Sequence, residues 1–412
     1  MTQFYHAHLW GSREDKYRYL EERDVTTVKW EEIFPQSPFY LFVPQDVDLL
    51  DEYNTGWKIT DLMPLHIYGF KSHRDRYAID FDSSELKKRI NELVETVRNQ
   101  DLDYAKKYAL GSWDYNSAAR ELASQDNYLQ HIDLCAYRPF DNRFMFYSSS
   151  IMDRIRPDLK QHMFRKDNLC LLCSRQISTM EYRHFFVTDL VPNDCLISNI
   201  TKESNHNFPL YIYPDTTNQQ GNLLVDKSPN FSSDFLQSIL AKLGYIPTPE
   251  AIFYYIYAIF HSPTYRQRYA EFLKIDFPRL PLTSNNELFQ TLSAKGQELV
   301  ELHLMKSQKL NKLITKFEGD GDNTVTTVKY KPEKQRVYIN KTRYFSGIPP
   351  EVWEFKVGGY QVLEKWLKDR KKAKRTLSFD DVLHYQKIVV ALKETMQIME
   401  EIDAAIPSFP IE

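Results

Sequence analysis

Tyr137-Arg138-Pro139-Phe140-Asp141-Asn142-Arg143-Phe144-Met145-Phe146-Tyr147 sets two arginines and an aspartate among five aromatic rings, directly after a short apolar run at 132–136. Residues 143–147 read as a strand, with Arg138 and Asp141 on either side of a turn at Pro139-Phe140. Arginine carries a planar fork of donors suited to phosphates and guanine edges, and flanking aromatics hold such forks rigidly. The same residues also allow a plainer outcome, in which Arg138 and Asp141 pair with each other across the turn.

Outward from this stretch, residues 131–230 read mainly as strands: 143–147, 169–173, 184–187, 195–197 and 210–213, separated by polar loops. Residues 1–130 mix aromatic turns with short helices. One of these, 85–97, is amphipathic, with Leu86, Ile90, Leu93 and Val97 on one face. Beyond 231 the chain turns helical. Thr248-Pro249 and Ser262-Pro263 each place a capping hydroxyl before a proline at the first helical position. The helix predicted at 249–261 is apolar all round and belongs in an interior. Residues 288–312 predict another long helix, 323–340 a β-hairpin (TVTTVKY and RVYI), and Ser378 the cap of a terminal helix ending near Ile402. The expected fold class is α+β, with a β-rich part at 131–230, a largely helical part at 231–412 and a mixed connecting segment at 1–130.

Net charge is −3, but it is unevenly spread. Residues 138–184 hold nine Lys/Arg against five Asp/Glu, and residues 329–375 hold fourteen against five, so the remainder carries −16. Cations gathered on one surface can serve nucleic acid without a basic pI, because the phosphate field is screened within about 10 Å. The densest cluster is Lys365, Lys368, Arg370, Lys371, Lys372, Lys374 and Arg375. A helix end favours two or three cations through its dipole, and seven within eleven residues exceed that need. Phosphate contact is expected there, and from Arg138, Arg143, Arg154 and Arg156 in the other basic region. Base reading is expected in loops of the β-rich part. Ser174-Arg175-Gln176 ends a strand, and arginine pairs bidentately with guanine, glutamine with adenine. Pro192-Asn193-Asp194, Asn199-Ile200-Thr201-Lys202 and Ser204-Asn205-His206-Asn207 follow in neighbouring loops, with Asn193, Asn199 and Lys202 the candidates. Turn chemistry alone also accounts for many of these Asn and Asp residues.

From about residue 4 to residue 402 the sequence resembles the C-terminal specificity region of the type ISP restriction–modification enzymes. The blocks that carry the resemblance occur in order: HLWGSREDKYRYL (8–20), KWEEIFPQSPFYLF (29–42), GWKITDLMP (56–64), YRPFDNRFMFY, VTDLVPNDCLISN (187–199) and FPLYIYP (208–214). Two longer ones follow, at 250–282 and at 347–371. The resemblance implies a target-recognition module on double-stranded DNA, preceded in such enzymes by nuclease, DNA-translocating ATPase and adenine-methyltransferase domains. S-adenosylmethionine, ATP and magnesium are implied for those upstream domains, and segment 1–130 joins the methyltransferase to the recognition part.

The chemistry of those domains has no visible counterpart in these residues. No Asn/Asp-Pro-Pro-Tyr/Phe tetrapeptide occurs, since Pro349-Pro350 has the wrong flanks. Only 12 glycines occur in 412 residues, and they form neither GxGxxG nor GxxxxGK[ST]. Cys170 and Cys173 imitate half a zinc site, but side chains three apart on a strand face opposite ways. Asp320-Gly321-Asp322-Asn323 imitates a calcium loop, with Val325 and Lys331 where glycine and glutamate belong. No cofactor, metal or catalytic residue is therefore expected in this chain. The 42% hydrophobic and 14% aromatic content excludes disorder. Four cysteines suit a reducing compartment, and the N-terminal MTQFYHAHLW has no export-signal pattern. The longest apolar run, 251–260, is about half a membrane span, so a cytoplasmic protein is expected. Two other readings stay open: a subunit-docking module without base contacts, favoured by the aromatic first third, and a methyltransferase with a divergent catalytic loop.

Overall fold

In a computed structural model, which describes residues 2–37, 39–44, 46–99, 104–108, 113–178, 181–200, 202–215 and 227–412, the aromatic stretch forms the turn and second strand of a hairpin. Ile132–Arg138 and Asp141–Phe146 pair antiparallel, from Ile132 opposite Phe146 to Arg138 opposite Asp141. Pro139 fixes one turn residue, and Phe140 takes a left-handed φ of 59° to reverse the chain. The register slips between Ala136 and Arg138, which leaves Tyr137 as a bulge. Ile79–Asp80 extends this sheet antiparallel to the second strand, and Val191–Pro192 extends it parallel to the first. Helix Ser83–Asn99 lays Leu86, Ile90 and Leu93 onto it, all fully buried, as the heptad spacing predicts. The side chain of Val97, placed on the same face by sequence, lies outside the described residues.

A second antiparallel sheet runs in the order Ile67–Tyr68, Asn205–Pro209, Cys170–Ser174, Phe185–Thr188. Its last three strands are buried along their whole length, hence the unbroken apolar runs CLLCS and FFVT. The loop around Asn193 stitches the two sheets together: Asp194 N–H donates to Phe70 O (3.1 Å), and Asn193 N–H to Ala136 O (2.9 Å).

Two helices cover the second sheet, and a third packs on them. Pro249–His261 starts as expected, with Thr248 Oγ1 accepting from Ala251 N–H (3.2 Å), and packs against Asn286–His303 and Phe379–Ala405. Gly296 lets the first two approach, because a Cβ there would lie 1.9 Å from Tyr254 O. Phe185 of the sheet stacks on Phe260 at 4.5 Å between ring centroids, and His303 joins Tyr257 Oη (2.5 Å) to Thr395 Oγ1 (2.9 Å) inside the layer. The terminal helix opens on a capping box between Ser378 and Asp381. A third sheet, Lys316–Glu318, Tyr344–Ser346, Arg336–Tyr338 and Lys329–Lys331, meets that helix through Phe345 and Tyr385. The α+β class follows.

The structure corrects several boundaries. Residues 195–197 form a turn instead of a strand, although Leu196 and Ile197 are buried. The helix predicted at 288–312 ends at His303, because Met305 adopts a φ of 60°, and 308–311 is a separate 3-10 turn. TVTT is not a strand; only 329–331 and 336–338 pair. Residues 204–207, read as a loop, mostly belong to the buried strand Asn205–Pro209. No helix among the described residues is long and apolar enough to cross a membrane.

Met1–Asp51 and Glu52–Glu412 are separate compact units. In the first, Phe4–His6 pairs with Glu31–Ile33, and helix Arg13–Glu21, capped by Ser12, buries none of its side chains.

Candidate nucleic-acid interface

Asp141 opens the second hairpin strand and is almost fully buried, with two guanidiniums on its two oxygens. Arg143 reaches Oδ2 at 2.6 Å from the same strand, and Arg370 reaches Oδ1 at 2.9 Å from helix Val362–Lys372. Burial pushes the Asp141 carboxyl up, but Arg370 and Arg143 outweigh it and hold the carboxyl well below the usual carboxylate range. Aromatic faces complete the joint. Arg143 lies 4.1 Å from the Phe81 ring centre and 4.0 Å from that of Tyr137, and Arg370 lies 3.4 Å from that of Trp366. Arg375 covers Phe81 as well, at 4.6 Å, while pairing with Asp82 at 2.7 Å. The arginine–aspartate–aromatic stretch therefore fastens the hairpin to the basic helix. Arg138 does not pair with Asp141; its guanidinium stacks on Tyr137 and donates to Asn193 Oδ1 (2.9 Å).

The seven-cation cluster divides in two. Lys365 pairs with Asp369 (2.6 Å), Lys368 with Glu364 (2.8 Å), and Arg370 and Arg375 belong to the joint. Lys371, Lys372 and Lys374 stand exposed, with no carboxylate partner among the described residues. Arg370, expected on the surface, is thus corrected to an interior residue. It follows Leu363, Trp366 and Leu367 at helical spacing, all buried, and Asp141 neutralises it. Arg143 is corrected likewise, with its side chain only 11% exposed.

The loops of the second sheet are gathered around Glu203, which is fully buried. Its carboxylate accepts from His184 Nε2 (2.9 Å), Ser198 Oγ (2.7 Å) and Ser178 N–H (2.7 Å), while its carbonyl accepts from Ser174 Oγ (2.7 Å). Burial raises the carboxyl; the donors from His184, Ser198 and Ser178 more than reverse that, down to about 2. One anion thus ties the loop after Ser174 to the loop at 198–200. Sequence alone did not single out Glu203, because an acidic residue in a polar run reads as solvated.

On these loops Arg175 is half exposed and pairs with Asp276 (3.0 Å), while Gln176 donates to Ile275 O (3.2 Å). Asn199 and Lys202 are exposed and unpartnered among the described residues, and Thr201 between them lies outside those residues. Arg154 is exposed beside Lys71; Arg156 holds a φ of 54° with its guanidinium 5.7 Å from the Tyr68 ring centre. Asn193 is corrected from a base-reading candidate to a buried turn residue, whose Oδ1 accepts from Arg138 and from Cys195 N–H. Asn205 and Asn207 are buried too and hydrogen-bond to each other.

The family model of the Type ISP C-terminal specificity domain matches residues 61–401. No curated protein sequence matches the chain. Among solved structures, the fold is shared with a nuclease-deletion mutant of the Type ISP restriction–modification enzyme LlaGI in complex with a DNA substrate mimic, at a TM-score of 0.69 and 20% identity over 97% of this chain. It is shared with the DrdV–DNA complex (0.71, 19%, 94%) and with the ATP-dependent Type ISP enzyme LlaBIII bound to DNA (0.68, 21%, 93%). The chain spans 38%, 42% and 26% of those three chains, respectively.

Proposed function

The chain belongs to the family of Type ISP C-terminal specificity domains, and we propose that it selects the DNA sequence on which such an enzyme acts. The adenine-methyltransferase, translocase and nuclease chemistry, with its S-adenosylmethionine, ATP and magnesium, is assigned to other domains. The observation that carries the reading is the matched specificity family, on a fold that presents unpartnered cations beside exposed polar loops. That the three similar structures are titled as complexes with DNA or a DNA mimic supports it. In this reading Lys371, Lys372 and Lys374 position the duplex through phosphates, and Arg175, Gln176, Asn199 and Lys202 address bases. Arg138, Arg154, Arg156, Lys368 and Arg375 stand as supporting phosphate contacts, and Arg143 and Arg370 as the framework behind them.

The test is binding of a random-sequence duplex pool across a salt series. Changing Lys371, Lys372 and Lys374 together to glutamine should flatten the slope of log K against log[salt] by about 2.7, at ~0.9 per phosphate, without altering the bound sequences. An unchanged slope would show these lysines to be an ordinary solvated helix end. Changing Arg175 and Gln176 to alanine should instead relax the selected sequence by about ten- to a hundredfold at one base pair. If the selected motif keeps its stringency, base reading moves to Asn199 and Lys202.

The unit Met1–Asp51 favours a second, complementary role. Trp10 is 81% exposed, Phe34 75% and Phe42 60%, and aromatic side chains are enriched in interface cores. This unit would dock the recognition module to the remainder of the enzyme.

A further inference from the structure

We infer that a cavity between the hairpin sheet and the basic helix is a binding site for consecutive phosphates of a nucleic-acid strand, with Arg76 as a principal contact. The inference rests on the DNA-reading role proposed above. The cavity has a volume of about 730 Å³, and its wall contains Arg76, Arg138 and Lys372 together with Asn199. It is within the size range that holds whole small molecules and larger than one phosphate needs.

Its charges do not cancel. Arg143, Lys365 and Arg375 also reach the wall, as do Asp75, Asp80 and Asp369. Those carboxylates are already engaged: Asp369 by Lys365 (2.6 Å) and Arg143 (3.1 Å), Asp80 by Arg89, and Asp75 by the hydroxyls of Ser72 and Tyr137. Arg375 and Arg143 have carboxylates of their own in Asp82 and Asp141. Three cations remain without one. Arg76 and Lys372 are exposed and unpartnered among the described residues. Arg138 meets only neutral oxygens of Asn193 and Tyr137, and its buried Nε has no partner among the described residues.

Such a set has the chemistry of an anion site, because two guanidiniums and an ammonium converge against the single carboxylate of Asp75 that no cation neutralises, which leaves the wall net positive. A strand, and not a single free phosphate, is indicated by what lies next door. A second cavity of about 590 Å³ shares Asp75, Arg76 and Arg138 with the first and continues past Arg74 and Lys71. The two adjoin at Arg76 and Arg138, so the space beside these guanidiniums extends beyond what one phosphate fills. The wall of the first cavity also holds Asn199, an amide able to read a base edge beside the backbone that the cations hold. Arg76 comes from the short His73-Arg74-Asp75-Arg76 run, far in sequence from the basic helix.

The test compares the full chain with Arg76→Gln/Lys372→Gln and with Lys312→Gln/Lys334→Gln, which removes the same two charges from exposed positions outside the cavity. A fluorescein-labelled random duplex is titrated across a salt series, and thermal melting verifies that each variant folds. The first pair should flatten the log K–log[salt] slope by about 1.8 and the second by much less. Equal shifts in both pairs, or none in the first, would overturn the inference while leaving DNA binding intact. If the unaltered chain binds no duplex, the DNA reading itself falls, and this site with it. A tripolyphosphate arm separates the sources of phosphate: loss of tripolyphosphate protection against melting, with duplex affinity unchanged, would mark a site for free polyphosphate and overturn the proposal.

Discussion

Asp141→Ala is expected to cost about 3–5 kcal/mol of folding stability, the range found when one partner of a buried ion pair is removed. The magnitude follows from what is left behind. Arg143 and Arg370 would remain, 11% and 5% exposed, with no carboxylate at the centre of the joint. Asp369 could still answer Arg143 at 3.1 Å, but no other acidic residue pairs with Arg370 among the described residues. Urea unfolding is the measurement, and a loss below about 1 kcal/mol would show that the joint is not held by charge. The pH dependence has a definite sign. The folded carboxyl lies below its unfolded value, so its contribution is complete above the ordinary carboxylate range and disappears only as pH falls below it. Asp141→Ala should therefore lose its disadvantage in strong acid, where the unaltered protein has lost the same ion.

Glu203→Ala should be nearly as severe, and it should also blur sequence selection. Two buried donors would be left unsatisfied, His184 Nε2 and Ser198 Oγ, and the exposed Ser178 would lose the acceptor of its N–H. An unsatisfied buried donor costs about 1–3 kcal/mol, and partial relaxation makes a total of roughly 3–4 kcal/mol reasonable. Glu203→Gln keeps the volume but supplies one acceptor oxygen in place of two, so it should destabilise less and remain folded. Its value is in separating stability from reading. With the loop after Ser174 and the loop at 198–200 no longer tied to one anion, the duplexes selected from a random pool should be less uniform, while overall affinity for the pool changes little. A folded Glu203→Gln protein that selects the same motif with the same stringency would sink the idea that this carboxylate aligns the reading loops. Its carboxyl, at about 2, likewise contributes above the normal carboxylate range and is lost as pH falls through that value.

Much of the architecture was legible because local signals agreed with tertiary ones. The Thr248-Pro249 start, the all-round apolar helix after it and the Ser378 cap all stand where the pattern puts them. Misreadings arose where polar residues are buried and satisfied. Asn205, His206 and Asn207 spell a loop by composition, yet Asn205 accepts from Leu196 N–H and Asn207 donates to Ile67 O within a sheet. Arg370 was legible in principle, since it continues the Leu363, Trp366, Leu367 stripe; its charge masked the periodicity. Arg76 carries no local signal because it stands in a segment that reads as a connector, although Ile67–Tyr68 and Ile79–Asp80 on either side of it are strands of the two main sheets. No local pattern could place Glu203, whose partners come from its own loop and from the connection between Cys170–Ser174 and Phe185–Thr188.

The ion-pair joint also orders events in time. Arg143 and Asp369 are 226 residues apart in sequence, and the hairpin they complete lies in the first half of the chain. At synthesis rates of about 5–20 residues per second, roughly 10–45 s separate the appearance of one partner from that of the other. Through that interval the hairpin carries Asp141 and Arg143 without Arg370, and the sheet edge built from Val191–Pro192 can form before the basic helix exists. Closure of the joint is thus a late, long-range step of the kind that slows folding. A nascent chain halted before residue 362 would hold its hairpin with Asp141 answered by Arg143 alone.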